Sequence, residues 1–174
     1  MTWAEAFLLQ ACSDFSIFKS LSRTPDTPEC HRLHYLQRAT EKLAKHHACL
    51  GTTGPPKKTH AALVSLLRQI PNMPQMRQMM GYSRNPDGFT AYIKSLLPVA
   101  TLIEELAPVG GESHRLNAEY PWEDGQGTLL CPHAYTYPEF RKMQPQYLNR
   151  VSPGNRPLAA FPDPRSSGLL RHSL

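Results

Sequence analysis

The sequence lacks most of the signatures by which a chain announces its chemistry. It has no CxxC pair, no Gly-rich phosphate loop, no nucleophile elbow and no paired-carboxylate constellation. Its apolar runs are short and interrupted, so none can span a bilayer, and no membrane partner is expected. Met1-Thr2-Trp3-Ala4-Glu5 lacks the charged and uninterrupted apolar regions of a signal peptide and reads as structural. Cys12, Cys30, Cys49 and Cys131 are widely spaced, which favours free buried thiols and a cytoplasmic protein over a disulfide framework. Cys30, His31 and His34 could share a zinc, but no further ligand stands at a recognisable spacing, and Cys131-Pro132-His133 is remote. Asp14, Glu104, Glu105, Glu123 and Asp124 are too scattered for a metal site, so no metal and no cofactor is expected.

What is present is a chain of 174 residues with a net charge of +5 and a pI near 9.1. That length predicts one domain, and that charge permits contact with a polyanion without requiring it. The chain divides by texture. Residues 1–107 carry helical patterns, whereas residues 108–174 hold nine of the seventeen prolines. The expected fold is all-α: an antiparallel up-down bundle of four to five helices, followed by a Pro-rich, largely irregular C-terminal arm. That arm, residues 108–174, should pack on the bundle or on a partner subunit.

In the first helix, from Thr2 to about Leu21, Phe7, Leu8, Ala11, Phe15, Phe18 and Leu21 recur at spacings of three and four. Asp26 or Thr27 can cap a second helix that ends near Gly51 and buries Leu33, Leu36, Leu43, His47 and Leu50. A third helix is expected over His60–Ile70, capped by Thr59 and closed by Pro71 and Pro74. Asn85-Pro86-Asp87 opens a fourth that reaches Leu106, with Pro98 expected to kink it.

The segment from His34-Tyr35-Leu36 through Ala39-Thr40-Glu41-Lys42 to Lys45 resembles the second helix of HEPN domains. In that family an aromatic residue and an Ala-x-Glu-Lys-x-x-Lys run precede a Gly/Pro loop and a Thr-His-x-x-Leu helix start. Here these are Tyr35, the run 39–45 and Thr59-His60-Ala61-Ala62-Leu63. The resemblance covers roughly residues 5–107, and Glu119-Tyr120-Pro121-Trp122 is similar to a segment that follows the bundle in a bacterial subgroup. It implies a helical bundle, a homodimer, and either binding of nucleotide or RNA or metal-independent RNA cleavage in toxin–antitoxin and defence systems.

The family's nucleases use an Arg, four to six intervening residues and a His, with the imidazole moving a proton and the cation steadying developing charge. The one pair at that spacing is Arg165 and His172, beyond Pro157, Pro162 and Pro164 and poorly placed for a rigid helix. Arg38 and His46 are one residue too far apart. The reading is therefore a nucleotide- or RNA-binding module without catalysis, or a protein-interaction module that serves a cognate protein partner. The alternative is an endoribonuclease through Arg165 and His172. The candidate binding residues are His34, Arg38, Lys42, Lys45 and His46 on the second helix, and Lys57 and Lys58 in a loop ahead of a helix N-terminus. Against this, His34, Arg38, Glu41 and Lys45 also read as a solvated helix face strengthened by a Glu41–Lys45 pair.

Overall fold

The computed structural model of the chain describes residues 1–54, 62–108 and 117–142. Within them the protein is predominantly helical. Lys57, Lys58, Thr59, His60, Arg165 and His172 lie outside the described residues.

Helix α1, Trp3–Leu21, starts at a reciprocal cap. The Thr2 hydroxyl accepts from the Glu5 N–H at 3.2 Å, and the Glu5 carboxylate accepts from the Thr2 N–H at 2.7 Å. Helix α2, Glu29–Ala48, has no such device, because Pro28 occupies its cap position. The expected caps are not used: Asp26 takes a left-handed conformation (φ 59°) in the turn before the helix. Gly51 is left-handed as well (φ 74°), and the chain has already left the helix there, which exposes Leu50 instead of burying it.

Helix α3 is Leu63–Gln69, shorter among the described residues than the expected His60–Ile70. Glu104 caps its first turn from another helix, accepting from the Val64 N–H at 2.8 Å. Pro71 and Pro74 do not end helical structure in this stretch. Proline is tolerated in a first turn, where its missing N–H has no partner to lose. Each therefore begins a piece of helix, a 3₁₀ turn over Ile70–Asn72 and then α4 over Pro74–Met79. Helix α4 ends in paired bonds around left-handed Gly81 (φ 80°), with Gly81 N–H donating to Gln78 O and Tyr82 N–H to Arg77 O. Helix α5, Pro86–Glu105, is capped by Asn85, whose side chain accepts from the Gly88 N–H at 2.8 Å. A Cβ at Gly88 would stand 2.3 Å from the Asn85 amide nitrogen, so a larger residue there would make the capping side chain shift. The helix continues through Pro98.

Helix α2 lies between two partners. On one side it packs along α1, its main contact; on the other it meets α3 and α5. The pairs Asp14–Lys42 and Ala4–His46 make α1 and α2 antiparallel. One apolar cluster joins Cys30, Leu33, Leu63, Ala100, Ile103 and Leu106, and a second joins Ala44, Leu66, Ile70, Phe89 and Ile93. Those memberships make α5 antiparallel to both α2 and α3.

The arm returns to this core. Ala118, Tyr137 and Phe140 complete the first cluster, and Tyr137 is fully buried. Two short strands, β1 (Trp122–Glu123) and β2 (Leu129–Leu130), pair antiparallel in register Trp122 to Leu130. Trp122 is buried and meets Tyr135 edge-on at 5.1 Å; Tyr135 meets Tyr137 in the same way. Among the described residues no helix is long and apolar enough to cross a membrane.

Candidate functional site

The basic residues of α2 sit on a helix flanked on both sides, and the fold gives most of them internal partners. Lys42 reaches Asp14 of α1, whose other carboxylate oxygen accepts from the Gln10 amide at 3.1 Å. Asp14 is almost wholly buried, which makes this pair part of the α1–α2 seam rather than of the surface. Lys45 is held by Glu41 one turn earlier, and Glu41 also accepts from Gln37 at 2.9 Å. The His46 Nδ1–H donates to the carbonyl of Ala4 at 2.9 Å, tying the end of α2 to the start of α1.

His34 is held from the arm. Asn117, buried, accepts from the N–H groups of both Glu119 and Tyr120 and donates to the Tyr120 carbonyl, fixing the turn that aims Glu119 at α2. The Glu119 carboxylate then accepts from His34 Nδ1–H at 3.2 Å. Burial of the imidazole, assisted by Arg38, outweighs Glu119 and holds the His34 pKa below its ordinary 6.5, so this contact is a neutral histidine donating to a carboxylate. Glu29 at the start of α2 accepts from the Tyr137 N–H at 3.3 Å and lies 3.6 Å from the Arg141 guanidinium. Burial pushes the Tyr137 phenol well above the usual tyrosine range, and its hydroxyl donates to the Asn117 carbonyl at 3.3 Å.

Of the seven candidate binding residues, four are thus drawn into internal contacts and two, Lys57 and Lys58, lie outside the described residues. Arg38 alone projects from α2 as an exposed cation. The dent between α2, α3 and α5, lined by Gln37, Thr40, Glu41, Leu63, Ile103 and Glu104, has no room even for a water molecule, so it does not take a nucleotide. Among the described residues no group of three or more His, Cys, Asp or Glu side chains could hold a metal ion.

A second set of cations follows no helical stripe in the sequence. Residues 62–96 hold Arg68, Arg77, Arg84 and Lys94 and one acid, Asp87. Arg68, Arg84 and Lys94 are exposed and Arg77 is half-buried. None of the four has an ion-pair partner among the described residues. They lie on or beside the helices that build the second apolar cluster, at the α3–α4–α5 corner, where Tyr82 stacks on Tyr92 at 5.9 Å and abuts Phe89 at 5.6 Å. The signal that could have found them is the local charge excess, one acid against four bases, rather than a helical stripe.

No family model, curated protein or solved structure matches the chain.

Proposed function

We propose that this chain is a non-catalytic, HEPN-like module that binds RNA by its phosphate backbone, through Arg68, Arg77, Arg84 and Lys94 rather than through α2. The observation that carries the reading is the contrast in partners: the α2 lysines face carboxylates of their own chain, whereas the corner cations have no ion-pair partner among the described residues and three of the four are exposed. Three of the four are arginines, whose planar fork matches a phosphate with two parallel hydrogen bonds. Tyr82, placed between Arg77 and Arg84 in the chain, supplies an aromatic ring for an unpaired base. Met79 is the one strongly exposed large apolar side chain among the described residues of this corner, too little for a lipid-inserting or hydrophobic protein-docking surface.

The test is fluorescence anisotropy with a mixed-sequence single-stranded RNA across a salt series. Four phosphate contacts on a single strand give log K against log salt a slope of about −3. Replacing the four residues by glutamine should flatten that slope and remove most binding, while Lys42→Gln and Lys45→Gln should leave the slope unchanged. Binding that ignores salt, or that survives the corner variant, would sink the reading.

A further inference from the structure

Helix α2 has a thiol at each end, Cys30 in its first turn and Cys49 at its close, and both are buried. Cys131 lies on the arm and is exposed. Three links bring it to the Cys30 end of the helix. The Cys131 carbonyl accepts from the Tyr135 N–H at 3.0 Å, in the turn that follows β2. Tyr135 packs against the apolar cluster that holds Cys30 and meets Tyr137 edge-on at 5.1 Å. Tyr137, a member of that cluster, donates its N–H to Glu29, the neighbour of Cys30 in the chain. Each thiol also feels the other's surroundings. Burial above all, with Cys131 assisting, holds the Cys30 thiol above its ordinary range. Burial raises the Tyr137 phenol, and both thiols add to it. No other pair of cysteines is set this way. Cys49 stands about 28 Å from Cys30 along α2, and Cys12, close to the Asp14 that holds Lys42, is level with a point about 18 Å along it.

We propose that Cys30 and Cys131 are a redox pair whose disulfide locks the arm onto the start of α2. The oxidant is a small-molecule disulfide of the glutathione type. The exposed Cys131 sulfur attacks it as thiolate, forming a mixed disulfide, and one half of the oxidant leaves as a thiolate. Cys30 then gives its proton to solvent and attacks the Cys131 sulfur, which expels the second half. Two protein thiols are oxidised, and one small disulfide is reduced to two thiols. Exposure assigns the roles. Solvent reaches Cys131, whereas Cys30, buried and raised, is less often a thiolate and closes the ring slowly. The ring spans roughly a hundred residues, so closing it removes much freedom from the unfolded chain. It fastens the arm at a third point, beside the Glu119–His34 and Glu29–Tyr137 contacts, and a reducing thiol reopens it.

The test is incubation of the full chain with oxidised glutathione, then non-reducing tryptic mass spectrometry and thermal unfolding. A linked pair of peptides, 24–32 and 116–141, should appear two hydrogens lighter than their sum, at a rate independent of protein concentration. The melting temperature should rise by several degrees and return with dithiothreitol. Cys131→Ser should abolish both the link and the rise, and Cys12→Ser should leave both in place. A mixed disulfide on Cys131 that never closes overturns the proposal. So does a link from Cys131 to Cys12 or to a second copy. A Cys30–Cys131 link that lowers the melting temperature overturns it as well, since the thiols would then meet only after the arm has left the core.

Discussion

Two regions of this protein handle charge in opposite ways. Where α1, α2 and the arm meet, Asp14 holds Lys42, Glu41 holds Lys45, Glu119 holds His34, and Glu29 serves both Tyr137 and Arg141. At the α3–α4–α5 corner four bases stand against one acid and none has an ion-pair partner among the described residues. The first region uses charge to join elements far apart in the chain; the second leaves charge for something outside it. A basic stripe on a helical wheel therefore says little about binding until the acids that will face it are known.

The heaviest loss is expected at Tyr137, the fully buried residue that joins the arm to the core. Tyr137→Ala should cost about 3–5 kcal/mol, as for other large aromatic truncations, and release the Asn117 turn. Thermal unfolding measures it. Tyr82→Ala at the corner, where the ring is only half-buried, should cost clearly less. Equal losses would mean that the corner is as closed as the seam.

Next in size is the seam itself. Asp14→Asn leaves Lys42 without its counter-charge in a nearly buried site, a loss of about 2–4 kcal/mol, toward the lower side because Lys42 keeps some contact with water. Replacing both at once, Asp14→Leu with Lys42→Met, should recover most of that stability, since a well-packed apolar pair needs no desolvation of charge. A double variant no better than the single one would assign the loss to packing instead.

Much of the helical frame was legible before any coordinates. The spacing of Phe7, Ala11, Phe15 and Phe18 marks α1, and Asn85-Pro86-Asp87 marks the start of α5. The failures are local and physical. Asp26 looked like a cap, but its backbone is left-handed and the helix begins at Glu29. Helix α4 was hidden by Pro74, which in fact opens it. The partners of the α2 stripe were beyond reach, because Asp14 stands 28 residues from Lys42 and Ala4 stands 42 from His46. No periodicity in α2 encodes a carboxylate or a carbonyl supplied from another element. The corner cations, by contrast, needed only a count of acids and bases over residues 62–96.

His34 gives the first region a pH signature that the corner lacks. Its native pKa lies below 6.5, so on acidification the unfolded chain takes up the proton first. Stability should therefore be complete above about pH 6.5 and fall as the pH drops from there toward the native pKa. His34→Gln should lose less melting temperature than the parent protein between pH 7.5 and pH 5.5. Parallel curves for the two proteins would show that the imidazole is not the group that destabilises the arm in acid.

The mildest change is expected at the corner. Arg68→Gln, Arg77→Gln and Arg84→Gln, alone or together, should change unfolding free energy by no more than about 0.5 kcal/mol each, because no partner among the described residues is left unpaired. Removing bases from a stretch that holds four of them and one acid lowers its excess positive charge, so any change should be a slight gain, larger at low salt and vanishing as the Debye length shrinks. Lys42→Gln, by contrast, should destabilise, since it leaves the buried Asp14 carboxylate without its cation. Parallel chemical denaturation at two salt concentrations separates the cases: seam variants lose stability in both, and corner variants lose it in neither. A corner triple variant that unfolds as readily as Lys42→Gln would place those arginines in structural contacts and remove the basis for assigning them to RNA.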